Sequence, residues 1–93
     1  MRKHNFKNVT SNIVNALELP KDFIYGAVII TLTGNFEAII ENYRGIILYT
    51  TEKIRVQTKN CQIEILGTNL IVEYYTDDEM KITGIFHEIN YIS

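Results

Sequence analysis

Two periods divide the chain. Before Pro20, in "FKNVTSNIVNALELP", Phe6, Val9, Ile13, Ala16 and Leu17 recur at three- and four-residue steps, which is the apolar stripe of a short amphipathic helix. Pro20 ends that pattern, because the residue before a proline is pushed out of the α region. From Ala27 onward the period is two. The runs "AVIITLT", "FEAIIE", "GIILYT", "KIRVQT", "CQIEIL", "LIVEYYT", "EMKITGI" and "FHEINYI" are each rich in β-branched or aromatic residues and read as seven to eight short strands.

The connections set how those strands pair. Thr51-Glu52, Lys59-Asn60, Gly67-Thr68-Asn69 and Asp77-Asp78 leave room only for tight turns, and so for antiparallel neighbours. The sharpest alternation is "KIRVQTKNCQIEI". It sets Ile54, Val56, Ile63 and Ile65 on one face against Lys53, Arg55, Gln62 and Glu64 on the other, a hairpin with one wet side. Ile39, Ile47, Tyr49, Ile71 and Tyr75 fall on what should be the outer face, so something is expected to cover part of it. The expected fold is mainly β: a single-domain, antiparallel, sandwich-like meander over residues 20–93, preceded by a basic, amphipathic helical segment at residues 1–19. A β-solenoid is the second choice, since the glycines at 26, 34, 45, 67 and 84 keep no constant spacing.

Composition narrows the class. A chain of 93 residues holds one small core with a thin stability margin, which a partner or self-association into a homo-oligomer would widen. Nine basic against eleven acidic residues give no electrostatic footprint for nucleic acid. The single cysteine and the lack of a signal-peptide pattern point to a reducing, cytoplasmic setting, and no apolar run is long enough to span a bilayer. Arg2, Lys3 and Lys7 beside the amphipathic stretch raise the question of contact with an anionic membrane, against packing of that stretch on the sheet.

Catalytic chemistry is sparse. Cys61 reads as a small hydrophobe at a strand start, and His87, alternating with Ile85 and Ile89, as a partly buried, hydrogen-bonded strand residue. His4 lies near the N-terminus. One cysteine and two scattered histidines cannot fill a tetrahedral metal site, and Asp77, Asp78 and Glu79 lack calcium-loop spacing and read as a hairpin turn. No catalytic, cofactor-binding or metal-binding residue is expected. The rival is a small-ligand-binding or hydrolytic domain that uses Cys61, His87 or the Asp77–Glu79 carboxylates. "ENYRGI" stands apart: Asn42 and Gly45 suit a turn, which requires neither a phenol nor a guanidinium. Asn42, Tyr43, Arg44 and Gly45 are therefore the candidate interaction residues, Tyr and Arg being the types most enriched at interface hot spots.

"LELPKD", "ITLTGN", "IENYRGI", "KIRVQT", "IEILGTNLIVEYY" and "DEMKITGIFHEINY", in that order from Leu17 to Tyr91, resemble the YabP/YqfC family of endospore sporulation proteins, and the YqfC branch most. The resemblance implies a noncatalytic protein of a Gram-positive spore former, made in the mother cell. It also implies a β-sandwich-like domain and action as an adaptor or assembly module beside a membrane-embedded sporulation partner. The setting it implies is the mother-cell cytoplasm, peripheral to the membranes around the forespore.

Overall fold

The computed structural model describes residues 26–93; the expected N-terminal helix, His4 and the basic residues Arg2, Lys3 and Lys7 lie outside the described residues. Within them the chain forms six strands: β1 (Ile29–Thr33), β2 (Glu37–Glu41), β3 (Tyr43–Tyr49), β4 (Lys53–Thr58), β5 (Gln62–Tyr75) and β6 (Glu79–Ile92). All pair antiparallel in one sheet of order β1-β2-β6-β5-β4-β3. The mainly β, antiparallel expectation holds, and the solenoid alternative does not fit this pairing. The meander holds for β1–β2 and for β3 through β6 and breaks between β2 and β3, which are consecutive in the chain but separated in the sheet by β6, β5 and β4.

Strand number is also corrected, because β5 and β6 run 14 residues each where the sequence suggested breaks. Gly67-Thr68-Asn69 is a bend inside β5 and no loop. Pairing with β6 continues past it, through register shifts between Leu66 and Gly67 and between Thr68 and Ile71. Asn69 takes φ 56°, and on β6 Gly84 takes φ 144°. A Cβ at Gly67 would stand 2.1 Å from the Ile85 carbonyl oxygen, and one at Gly84 2.8 Å from that of Asn69. Glycines here let two backbones approach as they bend.

The bend explains the core. Ala38, Ile40, Ile54, Val56, Ile63, Ile65, Leu70, Met80 and Ile82 are all fully buried and join one cluster with Phe86. The bulged β5–β6 pair bends the sheet and brings Gly67 and Leu70 to the β3–β4 turn, and residues of β2, β4, β5 and β6 share the one buried cluster. The β4–β5 hairpin pairs as the alternation predicts, but its polar face is not wet: Lys53, Arg55 and Gln62 are half-buried and Glu64 is buried. Ile54 pairs with Ile65 and Val56 with Ile63 on the buried side, and Arg55 pairs with Glu64 on the other.

Three hairpin turns share one device that the sequence reading passed over, a threonine at the first position. Thr50, Thr58 and Thr76 each donate a backbone N–H to the carbonyl of the residue three places on: Lys53, Cys61 and Glu79. Each hydroxyl also accepts from backbone N–H groups across its turn.

The Arg55–Glu64 pair sets a pH dependence. The Arg55 guanidinium, 2.6 Å away, holds the Glu64 carboxyl below its ordinary range; partial burial opposes this and the Asn90 amide assists it. A carboxyl lowered on folding stabilises above its unfolded pKa of about 4.3 and loses that contribution as pH falls through the folded value. Urea midpoints measured below about pH 4.3 should therefore fall less steeply with pH in Glu64→Gln than in the parent chain.

Candidate functional site

Asn42 is the hinge between β2 and β3. Its backbone adopts φ 65°, its N–H donates to the Asp78 carbonyl at 3.0 Å, and its side-chain amide donates to the Ala27 carbonyl at 3.0 Å. These bonds pin the kink to the β5–β6 turn and to the segment entering β1. "ENYRGI" is therefore a sheet-crossing kink and not the hairpin turn its residues suggested, and Tyr43, Arg44 and Gly45 already belong to β3.

The bend of β5 brings its second half alongside β3 without pairing the two as strands. Thr51, in the β3–β4 turn, accepts from the Leu70 N–H at 2.8 Å, so the two segments start in backbone contact. Beyond it, the hydrogen bonds between them among the described residues come from phenols. The Val72 N–H donates to the Tyr49 hydroxyl at 3.0 Å, and the Tyr43 hydroxyl donates to the Thr76 carbonyl. β3 has β4 as its one strand neighbour, and β4 pairs with β5 only as far as Leu66. A wedge-shaped cleft therefore opens between two strand edges, spanned by tyrosine side chains where a sheet would have ladder bonds.

Its mouth is a cavity of about 300 Å³, where Tyr43, Arg44 and Gly45 of β3 face Tyr75, Thr76 and Asp77. A second concavity, of about 470 Å³, lies on the other side of Tyr43 and Arg44 and reaches Asn42, Lys59 and Asp78. Burial pushes the Tyr43 phenol above its ordinary value, with Tyr75, Asp77 and Asp78 adding to the shift, so it remains a neutral donor. Arg44 makes no hydrogen bond or ion pair among the described residues, so the pairing with Glu41 that would make it a bland surface group is not formed. Ile47, Tyr49, Ile71 and Tyr75, four of the five expected outer-face apolar residues, are exposed on β3 and β5.

The residues of the rival reading are dispersed. Cys61 precedes β5, half-buried against the core, with its Sγ 3.5 Å from the Thr58 hydroxyl. His87 is exposed, contrary to expectation, as the extra residue of the bulge opposite Leu66 and Gly67, with a ring nitrogen 3.0 Å from the Thr68 hydroxyl. About five residues of strand, or roughly 16 Å, separate the two. Asp77 and Asp78 form the β5–β6 turn, as predicted, while Glu79 accepts from the Tyr74 hydroxyl at 2.5 Å. No group of three or more acidic, histidine or cysteine residues able to hold a metal occurs among the described residues. No helix among them is long and apolar enough to cross a membrane.

Tyr75, Thr76 and Asp77, the far wall of the cleft, were missed as site residues, since only the bend of β5 brings them to Tyr43.

Fold and cleft together define a small, bent β domain that, among the described residues, presents strand edges without a strand neighbour beside an arginine without an ion-pair partner. The chain belongs to the YabP family, whose sequence model matches residues 26–93. It is 29% identical over 80 residues to the uncharacterized protein YqfC of Bacillus subtilis (strain 168), a match that covers 86% of each chain. No solved structure matches.

Proposed function

We propose that this chain is a noncatalytic sporulation protein that acts in the mother cell as an adaptor. Its β3–β5 cleft docks a membrane-embedded partner, which keeps the chain in the cytoplasm at the membranes around the forespore. The observation that carries the docking role is the Arg44 guanidinium, without a described partner, at the mouth of a cleft between two strand edges. A partner's extended segment would add backbone hydrogen bonds along those edges, while Tyr43 and Tyr75 supply apolar area and Arg44 supplies a fork of donors for a carboxylate. Support for the sporulation setting is the resemblance of "ENYRGI" and its flanking segments to endospore proteins, together with membership of the YabP family.

Affinity capture of the tagged chain from detergent-solubilised membranes of sporulating cells tests this. Arg44→Ala is expected to weaken capture by about 2 kcal/mol, roughly thirtyfold, as for an interface hot spot, with an unchanged melting temperature. Undiminished capture by a folded Arg44→Ala chain would remove the cleft from the account.

A further inference from the structure

We infer that β1 is a self-association edge, where two copies of this chain pair antiparallel across a two-fold axis at Thr31 and join their sheets into one. The two outermost strands of the sheet differ in how they are protected. β3 is interrupted by two register shifts and carries Arg44, so pairing it with a second copy of itself would set irregular edges and like charges together. β1, "IITLT", has no charge, no proline and no bulge, and it pairs in unbroken register with β2 from Ile29 to Thr33. Among the described residues its other edge meets no strand.

The occupant follows from self-complementarity. Turned about Thr31, the strand sets Thr31 against its copy, Ile30 against Leu32 and Ile29 against Thr33, so no like charges meet and apolar residues oppose apolar ones. Register preserves the faces as well. Ile30 and Leu32 stand beside Ile40 and Ala38, which are fully buried, yet Leu32 is half exposed. Pairing would bring Ile30 of the second copy against Leu32 and extend the buried cluster through the interface. About four to six new backbone hydrogen bonds would form over five residues, few enough that the dimer should depend on concentration. β1 and β3 are the two outer strands of the sheet, so pairing through β1 leaves the edge of β3 uncovered, and a dimer would offer two docking clefts and bind a clustered membrane partner with avidity.

Sedimentation of the full chain across a concentration series should show a monomer shifting to a dimer. Thr31→Lys, which sets two like charges directly opposite each other, should hold it monomeric with an unchanged β signal. A second variant makes the result independent of affinity. Thr31→Cys in a Cys61→Ala background should oxidise to a disulfide-linked dimer, because the paired positions lie about 5 Å apart, whereas Glu73→Cys in the same background should not. A chain that stays monomeric and fails to cross-link through Cys at 31, as when another segment of the chain covers β1, would overturn the inference. So would a dimer that survives Thr31→Lys. Neither outcome bears on Arg44, so this test fails or succeeds separately from the docking cleft.

Discussion

Gly67→Ala is expected to cost the domain about 3 kcal/mol or more, whereas Gly45→Ala should leave stability within about 1 kcal/mol of the parent. At Gly67 the new methyl would stand 2.1 Å from the Ile85 carbonyl oxygen, a backbone atom that cannot rotate away; at Gly45 nothing lies within 4 Å. The β5–β6 pair would have to separate at its bend, the place that curls the sheet. Such a domain has about 5 to 14 kcal/mol of stability, so the loss is a large fraction of it and should lower Tm by roughly 12 to 24 °C. Thermal unfolding of the two variants by circular dichroism measures the contrast directly. Equal melting temperatures would mean that the two strands do not approach closely at Gly67.

Ile40→Ala should cost about 2 to 5 kcal/mol, the range for emptying a buried aliphatic site. Ile40 pairs with Ile30 on one side and Met80 on the other, and it is fully buried within the single core cluster. Ile71, equally aliphatic, stands half exposed beyond the bend, and Ile71→Ala should cost under about 1 kcal/mol. Urea midpoints separate the two. Similar small losses at both positions would describe an open sheet with no enclosed core.

How far the fold could be read from the residues depended on whether local pattern or long-range geometry decided each element. Ile54, Val56, Ile63 and Ile65 alternate strictly across a two-residue turn, so their burial and the opposition of Arg55 to Glu64 followed from spacing alone. Gly67-Thr68-Asn69 misled because the residues that make a turn also make a bulge: both need small or positive-φ positions, and only pairing with β6 distinguishes them. The strand count was inflated for that reason, and again at Gly84. Asn42 posed the same ambiguity, its left-handed backbone serving a kink between distant strands where a hairpin was expected. Tyr43 and Arg44 stood out in the sequence as side chains that no turn requires. Their counterparts Tyr75, Thr76 and Asp77 did not, since 31 or more residues separate them from Tyr43 in the chain and the bend that unites them was invisible.

The docking role proposed for the cleft rests on Arg44, and spore yield tests it without knowledge of the partner's identity. A strain whose only copy of the gene encodes Arg44→Ala should form heat-resistant spores at the level of a deletion strain, while the purified variant melts at the parental temperature. Parental spore yield from that strain, with the variant protein folded and present at normal abundance, would contradict the account.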